Sequence, residues 1–177
     1  MSELLGEDIQ KFHRWSRTYE RSLGQVFLFD PVHRKVVSLV AACLDGVAPA
    51  RVLDIGCGTG RLLRRAARRW PAARLFGRGE EIPLPDSSVD VAFSTVSFHH
   101  WENQAAGVRE VARVLRPGGL FCLADSALPG LVARFISHTR IHTRGEVRLL
   151  FEQAGLRVVM QAGIRGGAVA ATVGRNS

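Results

Sequence analysis

An α/β fold on a mostly parallel sheet is predicted by three observations. The stretch RVLDIGCGTG, residues 51–60, sets a short apolar run around Asp54 directly before a glycine turn, and a helical pattern follows at once. A strand buried on both faces of a parallel sheet reads this way, and the free N–H groups of the next helix face the same turn. Further apolar runs at 73–77, at 89–94 and after the PGG at 117–119 alternate with helical patterns, the order that builds crossover units. Residues 157–164 and 168–173 are joined by Arg165, Gly166 and Gly167, a turn suited to a terminal antiparallel hairpin.

The elements follow in order. Ile9, Phe12, Trp15 and Tyr19 recur at helical spacing over 7–19. Asp30 followed by Pro31 reads as a capped helix start, with Val36, Val40 and Leu44 on one face and Gly46 and Pro49 ending it. After the glycine turn, Arg61, Arg64, Arg65, Arg68 and Arg69 are expected on the solvent face of a helix whose inner face carries Leu63, Ala66, Ala67 and Trp70. Residues 73–77 form a second strand, and Pro83, Pro85 and Asp86 make 78–88 a turn-rich loop. The next strand spans 89–94 and leads into TVSFHHW, at the carboxyl end where ligands bind in open sheets. Asn103 caps a helix with Val108, Val111, Ala112 and Leu115 inward and Arg109, Arg113 and Arg116 outward. Thr143 and Glu146 fit a capping box for a helix carrying Val147, Leu150 and Phe151, stopped by Gly155.

The chain of 177 residues fits one domain, 1–177, with N-terminal helices over 1–46 and a ligand-binding fold over 51–177. No leader pattern and no apolar run near the ~20 residues that cross a bilayer is present, so the chain reads as soluble and cytoplasmic, without a membrane partner. Cys43, Cys57 and Cys122 lie far apart without CxxC spacing, which suggests reduced thiols and no metal. The net charge of +8 is almost all arginine; a solvated helix face explains it better than nucleic-acid binding.

A dinucleotide fingerprint would need glycine at 61, where arginine stands. The string with Asp54 two residues before Gly56, and Thr59 before Gly60, resembles motif I of class I S-adenosylmethionine (SAM) dependent methyltransferases. REVARVLRPGG, before an apolar strand ending in Asp125, is similar to the type 11 branch, including quinone-biosynthesis members. The resemblance implies a Rossmann-like methyltransferase sandwich and SAM as cofactor. It assigns Asp54 to the cofactor's ammonium group, Gly56, Cys57, Gly58 and Gly60 to the cradle, and Ser94 to the cofactor side of its strand. FHRWSRTYE matches a segment whose tyrosine closes over the cofactor, which makes Tyr19 a candidate lid; a core role is the other reading.

The family normally carries an acid at the end of its second strand, then a helix and a third strand. Here only the eleven residues 78–88 intervene. At ~3.3 Å per extended residue they span up to roughly 36 Å, against about 10 Å across two strand spacings and about 17 Å along the sheet. Six strands are therefore expected in place of seven, with the strand at 73–77 on the edge. The usual ribose acid is missing, and Glu80 or Glu81 is the candidate to replace it.

A methyl group on a sulfonium is already activated, so transfer mainly needs a well-placed acceptor, plus a base where the acceptor is a hydroxyl. His100 and His99, in that order, are the candidate bases, with orienting the loop as their alternative role; Asp125 either binds the acceptor or caps the following segment. The expected function is methyl transfer from SAM to a small-molecule acceptor. The alternative is a degenerate, non-catalytic scaffold of the same fold. An open edge at 73–77 further suggests either a homodimer or a weakly stable monomer with poor SAM affinity.

Overall fold

The computed structural model describes residues 23–78, 82–126 and 142–177. Helix α1 (Leu23–Ala42) precedes strand β1 (Arg51–Ile55), helix α2 (Arg61–Arg69), strand β2 (Arg74–Arg78) and strand β3 (Val89–Thr95). A 3-10 turn (Phe98–His100), helix α3 (Gln104–Val114), strand β4 (Leu115–Ser126), helix α4 (Arg144–Gln153) and strands β5 (Leu156–Ile164) and β6 (Val169–Asn176) follow. The six strands form one sheet in the order β2-β1-β3-β4-β6-β5. β1 to β4 pair in parallel, and β6 is antiparallel to both neighbours. The edge position expected for the second strand is what the sheet shows.

Consecutive residues of β1 point to opposite faces, yet Val52 and Leu53 are both fully buried, so each face is covered. On one face, Val36, Val37 and Val40 of α1 and Leu62, Ala66 and Trp70 at α2 pack on Val52, Val91, Phe93 and Cys122. On the other, Val108, Val111 and Val114 of α3 and Phe151 of α4 pack on Leu53, Ile55, Ala92 and Phe121. Continuous apolar strands are the consequence of two covering layers. Thr143 and Glu146 form the expected capping box, and Asn103 accepts from the Ala106 N–H.

Three local expectations are corrected. Helix α1 does not start at Asp30 and Pro31, since both lie inside it. Proline's fixed φ suits a helix, and what it removes is one hydrogen bond; Asp30, instead of capping, pairs with Arg65 of α2 at 2.8 Å. On α2 the inner face is Leu62, Ala66 and Trp70, while Leu63 and Ala67 are only half-buried. Arg61 and Arg65 are half-buried as well, because Asp30 draws this side of α2 toward α1. Finally, Arg113 does not simply face outward. Its guanidinium binds Glu110, Asp86 and the carbonyls of Ile82 and Leu84, at 3.2 and 3.0 Å for the latter two. Those bonds fasten the chain between β2 and β3, and Ile82 is buried among the residues of the α3 face. Residues 82–84 therefore lie on that side of the sheet.

Candidate functional site

The carboxyl ends of β1, β3 and β4 bring together most of the residues singled out in the sequence. Gly56 has φ of +72° and Gly58 of +48°, left-handed values that favour glycine. A Cβ at Gly56 would lie 2.5 Å from the Cβ and Oγ of Ser97, whereas one at Gly58 would meet nothing within 4 Å among the described residues. Gly58 thus leaves open space over the turn. Gly60 is the N-cap residue of α2, and its N–H donates to Cys57 O at 2.8 Å. Cys57 is a free, half-buried thiol whose pKa is raised by burial and by Asp54.

Asp54 is 1% exposed, and its Oδ1 is buried without a hydrogen-bond partner among the described residues. Loss of hydration pushes its pKa up to about 8. Two more buried nitrogens lack partners among the described residues: Nη1 of Arg61, which opens α2, and Nδ1 of His33 on α1. His33 is 7% exposed, and its Nε2 lies 3.4 Å from Oγ1 of Thr95, the last residue of β3. Burial lowers its pKa to about 4, with Arg65 and Arg61 acting in the same direction against Asp30. Asp54 and Thr95 follow Val52 and Phe93 by two residues, so strand alternation turns them toward the α1 and α2 face. Among the described residues this edge therefore holds an unsatisfied buried acceptor at Asp54, an unsatisfied buried donor at Arg61, and a His33 nitrogen that donates or accepts according to its tautomer, each costly to leave alone.

On the opposite side of the same edge, Asp125 at the end of β4 holds His99. Its Oδ2 accepts from the His99 N–H at 3.0 Å, and its Oδ1 lies 2.8 Å from His99 Nδ1. The carboxylate fixes the proton on Nδ1 and leaves Nε2 as the basic nitrogen. The hydrogen bond to Asp125 raises the His99 pKa and outweighs burial, which acts the other way. His100 is exposed, its ring centroid 4.0 Å from that of His99. Ser94 is fully buried, with its hydroxyl 2.9 Å from that of Ser97. Asp125 Oδ1 also accepts from the Ser126 N–H at 2.7 Å, so His99 and Ser126 between them engage both its oxygens; the segment it was expected to cap lies outside the described residues.

Asp54, Gly56, Cys57, Gly58, Gly60, Ser94, His99, His100 and Asp125 thus share one edge of the sheet. Glu80, Glu81 and Tyr19 lie outside the described residues. His33, Arg61 and Ser97 were not singled out as site residues in the sequence. Arg61 was hidden among five arginines of one helix, His33 belongs to no motif, and only its place within TVSFHHW marked Ser97. Among the described residues no group of three or more His, Cys, Asp or Glu side chains is placed to hold a metal ion.

A methyltransferase domain profile matches residues 71–123. The chain is 30% identical to malonyl-[acyl-carrier protein] O-methyltransferase from Dechloromonas aromatica over 179 aligned positions, covering 85% of this chain and 65% of that protein. It is also 30% identical to the enzyme of the same name from Geobacter sulfurreducens, over 84% of this chain and 69% of the relative. The chain spans about two thirds of the length of these curated relatives. In fold it is similar to a SAM-dependent methyltransferase from Aquifex aeolicus, with a TM-score of 0.70, 18% identity, and coverage of 95% of this chain and 98% of the other. With its glycine turn, buried strand acid and six-stranded sheet, the chain belongs to the class I S-adenosylmethionine-dependent methyltransferases, transferases whose cofactor is SAM.

Proposed function

We propose that this chain transfers the methyl group of SAM to an oxygen of a small-molecule acceptor, with His99 as the general base. The observation that carries it is that the carboxyl ends of neighbouring strands hold the buried Asp54 beside the glycine turn and, across β3, the His99–Asp125 pair. The names of the relatives, O-methyltransferases, support oxygen as the acceptor atom.

The residues present fit the cofactor. Its methionine end is a zwitterion, and the edge offers a buried carboxyl acceptor at Asp54, a buried donor at Arg61, and at His33 a nitrogen that donates in its Nδ1–H tautomer. Gly58 leaves room for close approach to the backbone. When bound, the sulfonium supplies an activated methyl group for in-line displacement. Asp54 would hold the ammonium, Arg61 and His33 the carboxylate, and the Gly56 to Gly60 turn the body of the cofactor. His99 Nε2 would take the acceptor proton, and Asp125 would keep the imidazole oriented and favour its charged form. The exposed His100 would border the acceptor's entrance. This reverses the sequence-based order of the two histidines, because only His99 has an orienting carboxylate.

The test is a screen of phenols, alcohols and carboxylic acids with labelled SAM. Phenol or alcohol methylation should rise with pH through a limb above the ordinary histidine range, since Asp125 raises the His99 pKa. His99→Asn should lower kcat by roughly 10²–10⁴, and Asp125→Asn should move the limb downward. Cofactor binding with no methyl transfer to any oxygen acceptor would favour the scaffold alternative, and full activity in His99→Asn would remove the base from the mechanism.

Among the described residues β2 pairs only with β1, and this edge position supports self-association through residues 73–77, where a second chain can extend the sheet. Sedimentation equilibrium should give twice the chain mass. A monomer at all concentrations tested would count against it.

A further inference from the structure

The turn after β3 is strained and tied to both neighbouring strands. Val96 has φ of +50°, a left-handed backbone that a β-branched residue adopts only where its surroundings impose it. Its N–H donates to Ala124 O on β4 at 2.8 Å. The next residue, Ser97, donates its hydroxyl proton to Ile55 O at the end of β1, at 3.1 Å. A serine hydroxyl has one proton, so the 2.9 Å contact with Ser94 must run from Ser94 to Ser97. The Ser97 side chain also lies against Gly56, leaving no space for a Cβ there. Two residues further, His99 is bound to Asp125 through both its backbone and its ring. One four-residue segment therefore joins the ends of three strands.

We propose that Ser97 is a positioning residue for methyl transfer, its hydroxyl holding the glycine turn and the His99–Asp125 pair in one register. The assignment rests on the methyltransferase function proposed above. Ser97 touches neither Asp54 nor the His99 ring in any hydrogen bond; it acts through Ile55 and Gly56 on one side and through the backbone leading to His99 on the other. A base and a methyl donor must be aligned closely, and a displacement of about 1 Å costs on the order of a hundredfold in rate. The strained Val96 is the conformational cost of bringing Ser97 under the β1 carbonyl.

The experiment uses the full chain with S-adenosylhomocysteine as the probe. Ser97→Ala should raise its dissociation constant about tenfold, as expected for one lost hydrogen bond. It should also lower kcat and move the acid limb of the kcat profile toward the ordinary histidine range, with the thermal midpoint lowered by roughly 1–6 °C. His99 faces Asp125 and His100, so a shift of that limb reports a change in the Asp125 contact. An unchanged dissociation constant and unchanged limb in folded Ser97→Ala overturn the proposal. If Ser97→Ala does not fold, Ser97→Cys, of similar shape but a weaker donor, is judged by the same two measurements. Wild-type binding without any methyl transfer would refute the reaction, while the effect of Ser97→Ala on binding would still decide the role of Ser97.

Discussion

Two alanine substitutions in the glycine turn should separate stability from ligand binding. Gly56 and Gly58 both have left-handed backbones, which cost an alanine about 1–2 kcal/mol. At Gly56 the new methyl would also be 2.5 Å from the Cβ and Oγ of Ser97. Ser97 is anchored to Ile55 and Ser94 and cannot swing away without breaking those bonds. Overpacking of this kind adds about 1–3 kcal/mol. The sum is about 2–5 kcal/mol, a sizeable part of a total stability of roughly 5–15 kcal/mol. At about 2–4 °C per kcal/mol for a chain of this size, Gly56→Ala should lower Tm by roughly 4–20 °C. At Gly58 a Cβ meets nothing within 4 Å among the described residues, so only the backbone term applies, less what the alanine removes from unfolded-state entropy. About 1 kcal/mol remains, or roughly 2–4 °C.

Binding should respond differently at Gly58. If the open space there is where SAM approaches the backbone, the alanine methyl occupies ligand volume, and S-adenosylhomocysteine affinity should fall about tenfold or more, equivalent to about 1.4 kcal/mol. Thermal melting and calorimetric titration of both variants provide the assay. Wild-type affinity in Gly58→Ala would show that the cofactor does not lie over this turn. A loss of less than about 2 °C in Gly56→Ala, where at least 2 kcal/mol is expected, would refute the tight contact with Ser97.

Asp54 should make the unliganded protein less stable as pH rises. Its unfolded pKa is near 3.8 and its folded pKa about 8, so between those values the folded state alone keeps the proton. Stability contributed by this group is present at low pH and is lost by up to about 1.4 kcal/mol per pH unit as pH climbs through that window. Asp54→Asn should flatten this part of the Tm profile while weakening SAM binding, and identical slopes in both proteins would contradict the assignment. An ammonium group placed beside Asp54 favours its ionised form, so binding at pH 7 should release up to one proton, read by calorimetry in two buffers of different ionisation enthalpy. Arg113→Lys keeps the charge but loses the fork that binds Glu110, Asp86 and two carbonyls at once. It should cost about 2 kcal/mol and speed hydrogen exchange at 82–86; unchanged exchange there would show that Arg113 does not hold that segment.

Much of this protein was legible in its sequence because the signals were local. A strand filled on both faces needs consecutive apolar residues, so Val52, Leu53 and Ile55 announced a two-sided sheet. A backbone turning through positive φ needs glycine, so Gly56, Gly58 and Gly60 marked the turn. The brevity of 78–88 forced six strands and left β2 at the edge. Tertiary structure decided which of several equivalent residues meets what. Five arginines on α2 look alike in sequence; the position of Asp30, 35 residues earlier, captures Arg65, while Arg61 keeps a buried nitrogen without a partner among the described residues. Adjacent histidines look alike too, until Asp125, 26 residues later, takes His99 and leaves His100 exposed. Local patterns fix backbone conformation because their causes lie within a few residues. Hydrogen-bond partnership, desolvation and the pKa values that follow depend on distant segments meeting, and for His33, Asp54 and Ser97 only the assembled sheet and helices determine them.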